Sequence, residues 1–305
     1  MTASVIIPIH NQKNALIKCI LGFQKQFISN DITWEIIIVD DGSTDSIKNE
    51  PEIETILKSS AIFSYKIITI NHSGRSVARN VAIKESEGGI LIFCDGDRIP
   101  DRTFVQRHID TLRDFENAVC IGNAKDYWRK EYLFQDENKK FSRNTTYFNC
   151  VLSLYTETNG KGYKFTSSNL AWLSLLIGNA SVHRSVLDDV GYFDEDFISW
   201  GFEHFELGLR LQQRGVLFVV NEEIISYHQV HSHKSDEVFH SLELSLEIIS
   251  KKHKDIDVDM LKKFFMGEIS IQKYQKKLGE NVISKTEKKV IKSPWKERDN
   301  YETGK

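Results

Sequence analysis

The sequence predicts an α/β protein built on a doubly wound, mostly parallel sheet. Continuous apolar runs at residues 5–9 and 34–39 are typical of strands that are covered on both faces. Between such runs, apolar residues recur at helical spacing, so strands and helices alternate along the first half of the chain. Carboxylates follow the runs at residues 34–39 and 90–94 directly. Sheets of this kind bind ligands beyond the carboxyl ends of their strands, so these carboxylates are candidate site residues.

The composition limits the classes of function. The chain has 305 residues, of which 40% are hydrophobic and 27% are charged, as in a soluble globular protein. A formal net charge of −3 gives no general attraction to nucleic acid. No apolar stretch is long enough to cross a bilayer, and no charged region precedes the strand-like run at residues 3–8. We therefore expect no signal peptide, a cytoplasmic location and four reduced cysteines: Cys19, Cys94, Cys120 and Cys150.

The elements of the first half follow in order. Strands are predicted at residues 5–9, 34–40, 65–70, 90–94 and 118–122. Helices are predicted from residue 16 to 27, from 73 to a stop at 87–89, and from 102 to 115. Pro8 should end the hydrogen bonding of the first strand, and Ser43 or Thr44 could cap the helix after the second.

Three strand tips carry polar side chains: His10-Asn11, Asp40-Asp41 and Asp95-Gly96-Asp97. Asp95 and Asp97 could hold a hard divalent cation and through it phosphate oxygens, while Gly96 lets the backbone approach a ligand. A polar turn would explain any one tip alone, but all three should lie on the same edge of the sheet. No glycine-rich phosphate loop is present, so we expect a metal and arginine side chains to hold the phosphates.

Residues 123–172 lose regular periodicity and are rich in aromatic side chains mixed with Lys, Asp and Asn. Long irregular stretches inside a domain are usually functional or mobile. Two interpretations stay open: a packed layer over the sheet, and a flap whose aromatic faces bind the sugar rings of an acceptor.

A helix is predicted from residue 203, with Glu203-His204 at its start. Glu206 and Arg210 have the spacing of an i,i+4 salt bridge and should be structural. Glu203 could be stabilised by the helix dipole, or Glu203-His204 could lie over a cleft as a general base. Short strands at 217–220 and 224–226 precede three closely spaced histidines that suggest a metal ligand: His228, His231 and His233.

From residue 235 the chain becomes helical and lysine-rich, with a solvated tail after about residue 291. We favour a helical cap on the domain over a helix that binds a membrane surface or a partner. The basic amphipathic character leaves two further contacts open, a peripheral one with the inner face of a membrane and one between copies of the chain.

These motifs, in this order, resemble the inverting glycosyltransferases of family 2, which have the GT-A fold. The resemblance covers about residues 4–233 and rests on residues 4–8, 39–45, 78–80 and 95–97. The later half looks like the galactosyltransferase-type C-terminal segment of bacterial chondroitin polymerases, through Gly178-Asn-Ala, Gly191-Tyr-Phe-Asp-Glu, Trp200-Gly-Phe-Glu and Tyr227-His-Gln. Such motifs are specific for the fold and the reaction type, and they do not identify the sugars.

The resemblance implies a GT-A domain at residues 1–234, followed by the extension at 235–305. Within the domain, residues 1–122 would form a Rossmann-like nucleotide-sugar-binding half and residues 123–234 an acceptor-binding, catalytic half. It also implies a UDP-sugar donor, Mn²⁺ or Mg²⁺ as cofactor, and a saccharide, lipid-linked or peptide acceptor.

The resemblance also assigns roles at the donor base. Asp41 would accept the N3–H of the base, which favours uracil. Pro8 and His10 occupy the loop under the base, where relatives often have an aromatic residue that stacks. His10 departs from that pattern, although an imidazole ring can still stack.

At the phosphate end, the resemblance places Asp95 on the ribose and Asp97 on the metal. His228 matches the histidine that completes the metal site in relatives, and a carboxylate, an imidazole and phosphate suit Mn²⁺ or Mg²⁺. Arg75 or Arg79 would lie near the diphosphate or brace that loop.

The sharpest departure from the family is His204, because relatives usually have Glu-Asp here, with the Asp as general base. A neutral imidazole can remove a proton at physiological pH. Glu203 could instead be the base or could position an acceptor hydroxyl. The departure leaves open a degenerate transferase that only binds a nucleotide or glycan. A sugar nucleotidyltransferase is a further alternative, although its glycine-rich loop is missing at residues 10–13.

Overall fold

A computed structural model of the chain describes residues 1–60, 62–127, 146–198, 201–229 and 235–282. Several sequence predictions lie outside these ranges. They concern Trp200, His231, His233, the tail after residue 291 and the aromatic side chains between residues 128 and 145.

A mixed sheet forms the centre of the described structure. Its strands are β1 (Ala3–Ile9), β2 (Trp34–Asp41), β3 (Ser64–Ile70), β4 (Ile90–Cys94), β5 (Arg98–Pro100), β6 (Ala118–Tyr127), β7 (Glu157–Thr158), β8 (Lys164–Phe165), β9 (Asn179–His183) and β10 (Leu217–Gln229). Their order across the sheet is β3-β2-β1-β4-β9-β6-β10-β8-β7, and β5 pairs with β10 off this path.

The helices are α1 (Lys13–Phe23), α2 (Pro51–Lys58), α3 (Arg75–Glu85), α4 (Phe104–Asp114), α5 (Thr146–Leu152), α6 (Arg184–Val190), α7 (Glu203–Gln213), α8 (Ser235–Lys252), α9 (Val258–Phe265) and α10 (Ile271–Lys277). A 3₁₀ turn covers Ala171–Ser174. Helix α2 was not predicted from the sequence, although Pro51 at its first turn is a recognised start signal. None of the described helices is long and apolar enough to cross a membrane.

The predicted fold class is confirmed, since β3, β2, β1 and β4 run parallel and helices connect them. The direction of β9 was not foreseen, because this strand lies antiparallel between β4 and β6. The two short strands predicted at 217–220 and 224–226 are one strand, β10, with an irregularity between Val220 and Ile225. β1 also continues past Pro8: its pairing with β4 ends at Ile6, but its pairing with β2 reaches Ile9.

Two hydrophobic clusters cover the two faces of the sheet. Val5 and Ile7 belong to one cluster and Ile6 to the other, because successive side chains of a strand point to opposite faces. This arrangement explains why the strands are apolar without alternation. The cluster that contains Ile6 also contains Tyr147 and Phe148. This fits the packed-layer interpretation for the described part of residues 123–172.

The C-terminal helices share the cluster that contains Ile6. Leu246 of α8, Phe265 of α9 and Tyr274 of α10 are buried in it. The described part of the extension therefore packs onto the body of the domain as a cap. The division of the chain at residue 234 stays a prediction, because this shared cluster does not mark a boundary there.

Candidate active site

The tips of β1, β2 and β4 lie at the same edge of the sheet, because the three strands are parallel neighbours. His10 follows β1, Asp41 ends β2 and Asp95 follows β4. His10 Nδ1 lies 2.7 Å from the main-chain oxygen of Asp41. The structure therefore brings together the polar tips that the sequence singled out.

Asp41 is buried, and its carboxylate is anchored by the loop between β3 and α3. The backbone N–H of Ser73 donates to Oδ1 at 2.7 Å, and that of Gly74 donates to Oδ2 at 3.0 Å. His72 Nδ1 lies 2.9 Å from Oδ2. These contacts fix the carboxylate at the edge of the sheet beside His10.

Asp40 and the residues after it shape the neighbouring loop. Asp40 accepts hydrogen bonds from the backbone N–H groups of Ser43 and Ile47. Ser43 and Thr44 do not cap a helix, contrary to the sequence prediction, because both bond to Asn11 in the loop after β1. The loops after β1 and β2 are thus joined by these hydrogen bonds.

His72 was missed by the sequence analysis. Its ring stacks on that of His10, with centroids 4.2 Å apart and planes 25° from parallel. Gly42 allows this approach, because a Cβ at that position would lie 2.6 Å from the backbone nitrogen of His72. The signal was available in the sequence, since residues 71–73 follow a strand whose tip lies on the same edge as the others.

Arg79 joins the Asp95 loop to the start of α7. Its side chain is only 1% exposed. Its Nη2 lies 2.9 Å from Asp95 Oδ1, and its Nη1 lies 2.8 Å from Glu203 Oε1. Burial lowers the pKa of Arg79, but the two carboxylates outweigh it, so the pKa is raised. Of the two arginines considered from the sequence, Arg79 braces the Asp95 loop, while Arg75 is an exposed residue at the start of α3.

Gly178 and Gly96 are both close-packed at the Asp95-Gly96-Asp97 loop. A Cβ on Gly178 would lie 2.4 Å from Asp95 Oδ2 and 2.3 Å from Arg98 Nε. A Cβ on Gly96 would lie 2.4 Å from a methyl group of Ile9, so packing against β1 already requires this glycine. The loop therefore tolerates no added side chain at either position without movement.

Asn179, next to Gly178, is buried and forms hydrogen bonds with several neighbouring elements. Its side-chain amide donates to the main-chain oxygens of Asn123 and Ile224 and to Ser226 Oγ. Its Oδ1 lies 3.1 Å from Nε2 of the buried His108. The Gly-Asn-Ala motif thus ties the start of β9 to β6 and β10.

Asp97 and His228 meet because β5 pairs antiparallel with β10. His228 Nε2 lies 3.5 Å from Asp97 Oδ2, and the backbone N–H of Gln229 donates to Asp97 O at 2.8 Å. Gln12 Nε2 donates to Asp97 Oδ2 at 3.3 Å. A carboxylate and an imidazole at this separation fit one divalent cation whose other ligands come from phosphate and water.

Glu203 begins α7 and is held as a carboxylate. Burial raises its pKa, but the contact with His204 and the charges of Arg79 and Arg75 outweigh burial and hold the pKa well below its usual range. Such a carboxylate is a weak proton acceptor. His204 is partly exposed, at 17% of its side chain, and its Nδ1 lies 3.6 Å from Glu203 Oε1.

Helices from the C-terminal cap hold the turn before Glu203. Phe202 precedes α7 with a left-handed φ of 71°, and its ring centroid lies 4.6 Å from that of Phe265. Ser245 Oγ donates to the main-chain oxygen of Gly201, and His253 Nε2 lies 3.0 Å from Glu206. Nothing in the local sequence indicated that the cap supports this turn.

Glu206 forms the predicted pair with Arg210, whose Nε lies 2.8 Å from Glu206 Oε1. The guanidinium also donates to the main-chain oxygens of Val190, Gly191 and Tyr192. The pair is therefore structural, as expected from its spacing.

The family model described as Glycosyl transferase family 2 matches residues 4–172. The uncharacterized glycosyltransferase YfnE of Bacillus subtilis is 29% identical over 272 residues, which cover 76% of this chain and 65% of the relative. The chondroitin synthase of Pasteurella multocida is 22% identical over 273 residues, which cover 82% of this chain and 27% of the relative. The chain thus spans less than two thirds of the length of these relatives.

Solved structures agree on the fold. TarS of S. aureus, residues 1–349 in complex with UDP-GlcNAc, has a TM-score of 0.58 at 17% identity, over 85% of this chain and 69% of that chain. GalNAc-T7 with UDP, GalNAc and Mn²⁺ has a TM-score of 0.56 at 15% identity, over 80% of this chain and 48% of that chain. At these identities the likeness establishes a shared GT-A fold.

Proposed function

The chain belongs to glycosyl transferase family 2, and on that premise we propose that it is a metal-dependent, inverting enzyme that uses a UDP-sugar donor. The observation that carries the proposal is the buried contact Asp95–Arg79–Glu203. It joins the loop that would hold the donor and metal to the helix start that would hold the general base.

At the donor end, Asp41 would accept the N3–H of uracil, and Pro8 and His10 would lie under the base. The fixed carboxylate of Asp41 supports this role, because recognition needs an acceptor that does not reorient. Asp95 would bind the ribose, with Gly96 beside it. The UDP and UDP-GlcNAc complexes of the TarS structures support a uridine nucleotide.

At the phosphate end, Asp97 and His228 would hold Mn²⁺ or Mg²⁺, and the exposed Arg75 would contact the diphosphate. When bound, the ion supplies positive charge that stabilises the departing diphosphate. The 3.5 Å separation of the carboxylate and imidazole supports this assignment.

At the acceptor end, we assign the general base to His204. Glu203 forms an ion pair with Arg79, and its pKa is lowered, so it would accept a proton less readily than His204. When His204 accepts the proton of the attacking hydroxyl, the neighbouring Glu203 carboxylate would stabilise the imidazolium that forms. Attack from the side opposite the nucleotide would invert the anomeric centre. The acceptor would be a saccharide, a lipid-linked glycan or a peptide.

A panel of nucleotide sugars tests the proposal. Purified protein is incubated with Mn²⁺ and UDP-, GDP- or ADP-sugars, and both the melting temperature and nucleotide release are measured. We expect a UDP-sugar to raise the melting temperature and to release UDP, with no such response to GDP- or ADP-sugars. Stabilisation by UDP-sugars without any release would instead indicate a nucleotide-binding protein, and no response to any UDP-sugar would contradict the proposal.

A further inference from the structure

A second cluster of metal-ligating side chains lies at the ends of β1, β2 and β3. His10, Asp41 and His72 each present a ligand atom, and the three atoms lie within 4.8 Å of one another. We propose that this cluster binds a transition-metal ion of the Zn²⁺ class and that the bound ion competes with the donor nucleotide.

The distances within the cluster suit a single small ion. His72 Nδ1 lies 2.9 Å from Asp41 Oδ2 and 3.1 Å from Asp41 O, and His10 Nδ1 lies 2.7 Å from the same Asp41 O. Ligand atoms about 2.1 Å from one Zn²⁺ are themselves about 3.0–3.4 Å apart. The contact between His72 and the Asp41 carboxylate already has about this spacing, and the His10 ring, whose ligand atom lies within 4.8 Å of the other two, would turn toward the ion.

The surroundings hold the cluster in place. Asp41 Oδ1 accepts from the backbone N–H of Ser73 and Oδ2 from that of Gly74, so the carboxylate stays anchored while the side of Oδ2 that faces His72 can bind an ion. Gly42 permits the close packing of the loop that carries His72. Groups that orient ligands in this way strengthen metal sites.

The ligand types separate this cluster from the Asp97–His228 pair. Two imidazoles and one carboxylate favour Zn²⁺ over Mn²⁺ and Mg²⁺, and three protein ligands leave a position for water. A pair that relies on phosphate oxygens suits the harder ions. We therefore expect Mn²⁺ to act at Asp97 and His228, and Zn²⁺ to bind at His10, Asp41 and His72.

The two histidines should contribute unequally. Coordination through Nδ1 moves the remaining ring proton to Nε2, and His10 Nε2 now lies 3.0 Å from the side-chain nitrogen of Asn11. That amide would have to turn away. The His72 ring is 61% exposed, so it can adjust more freely and should be the stronger ligand.

The competition rests on the proposed function, because that function places the uracil base at Asp41 and His10. An ion held by these residues would occupy the space of the base and engage the oxygen that should accept its N3–H. Zn²⁺ would therefore weaken donor binding, whereas Mn²⁺ would strengthen it.

Calorimetric titration of the full chain with Zn²⁺ tests the site itself. We expect a binding event that weakens about tenfold or more in His72→Ala, and less in His10→Ala. The event should persist in His228→Ala and in His240→Ala, which removes an exposed histidine of α8. Equal Zn²⁺ affinity in the wild type and in His72→Ala would overturn the site. Circular dichroism checks that each variant is folded.

UDP affinity in saturating Mn²⁺, measured with and without Zn²⁺, tests the competition. We expect Zn²⁺ to weaken UDP binding about tenfold in the wild type and to have little effect in His72→Ala. Unchanged UDP affinity in the wild type with the Zn²⁺ site filled would overturn the competition. Absence of UDP binding with Mn²⁺ alone would count against the proposed function, while the Zn²⁺ titration would still decide the site.

Discussion

Arg79 and Glu203 form a buried ion pair that joins α3 to the first residue of α7, with Arg79 Nη1 2.8 Å from Glu203 Oε1. The same guanidinium contacts Asp95, so one cation neutralises a carboxylate on each side of the candidate site. The Asp95 loop and the start of α7, which carries the proposed general base His204, are therefore held by the same guanidinium.

Removing Arg79 should deprive Glu203 and Asp95 of the guanidinium that they share. We expect Arg79→Met to lower the free energy of unfolding by about 3–5 kcal/mol, because a buried charge loses its counter-ion. The loss should be smaller when Glu203→Gln is added, and a double-mutant cycle by urea unfolding at pH 7 measures the difference. Arg214→Met, which breaks an exposed pair with Asp189, is the matched control and should change stability little. Equal losses for both arginines would contradict the buried pair.

The buried His108 should make stability depend on pH. Burial lowers its pKa from 6.5 to about 3, although the hydrogen bond with Asn179 opposes the shift. Below about pH 6.5 the unfolded chain binds a proton that the folded chain does not, so stability is complete above that pH and falls below it. The expected contribution is about 1.4 kcal/mol for each pH unit between 6 and 4.

Urea unfolding between pH 7 and pH 4 checks this dependence. His108→Gln keeps a polar side chain beside Ser181 and Asn179 but does not titrate, so its stability should fall less steeply than that of the wild type. His240→Gln alters an exposed histidine and should retain the wild-type slope. A wild-type slope in His108→Gln would show that other groups cause the acid sensitivity.

Adding a methyl group at Gly178 should disturb the Asp95-Gly96-Asp97 loop. Gly178→Ala places Cβ 2.4 Å from Asp95 Oδ2, so the carboxylate or the Arg98 side chain must move. We expect UDP affinity in Mn²⁺ to fall about tenfold, because Asp95, the residue proposed to bind the ribose, is displaced. Gly160→Ala is the matched control, since nothing lies within 4 Å of its added Cβ. Unchanged UDP affinity in Gly178→Ala would place the donor elsewhere.

The strand tips were predictable because parallel strands end at one edge of a sheet whatever the loops do. Asp41, Asp95 and His10 could therefore be grouped from the sequence alone. The same reasoning would have placed His72 with them, because the strand that precedes it is parallel to the others.

Long-range contacts were not predictable from one sequence. The Arg79–Glu203 pair and the Phe202–Phe265 contact join residues far apart in the chain, and packing of whole helices sets their distances. The reversed β9 likewise follows from tertiary pairing, since its apolar pattern suits a parallel or an antiparallel neighbour equally. Local patterns do not carry this information.

The central claim is that Asp97 serves the donor and metal, while His204 serves the acceptor. UDP release from a UDP-sugar in Mn²⁺, measured with UDP affinity for the wild type, Asp97→Ala and His204→Ala, tests it most directly. We expect Asp97→Ala to lose binding and turnover together, and His204→Ala to keep UDP affinity while turnover falls about 10²-fold or more. Loss of UDP binding in His204→Ala, or full turnover in either variant, would contradict the account.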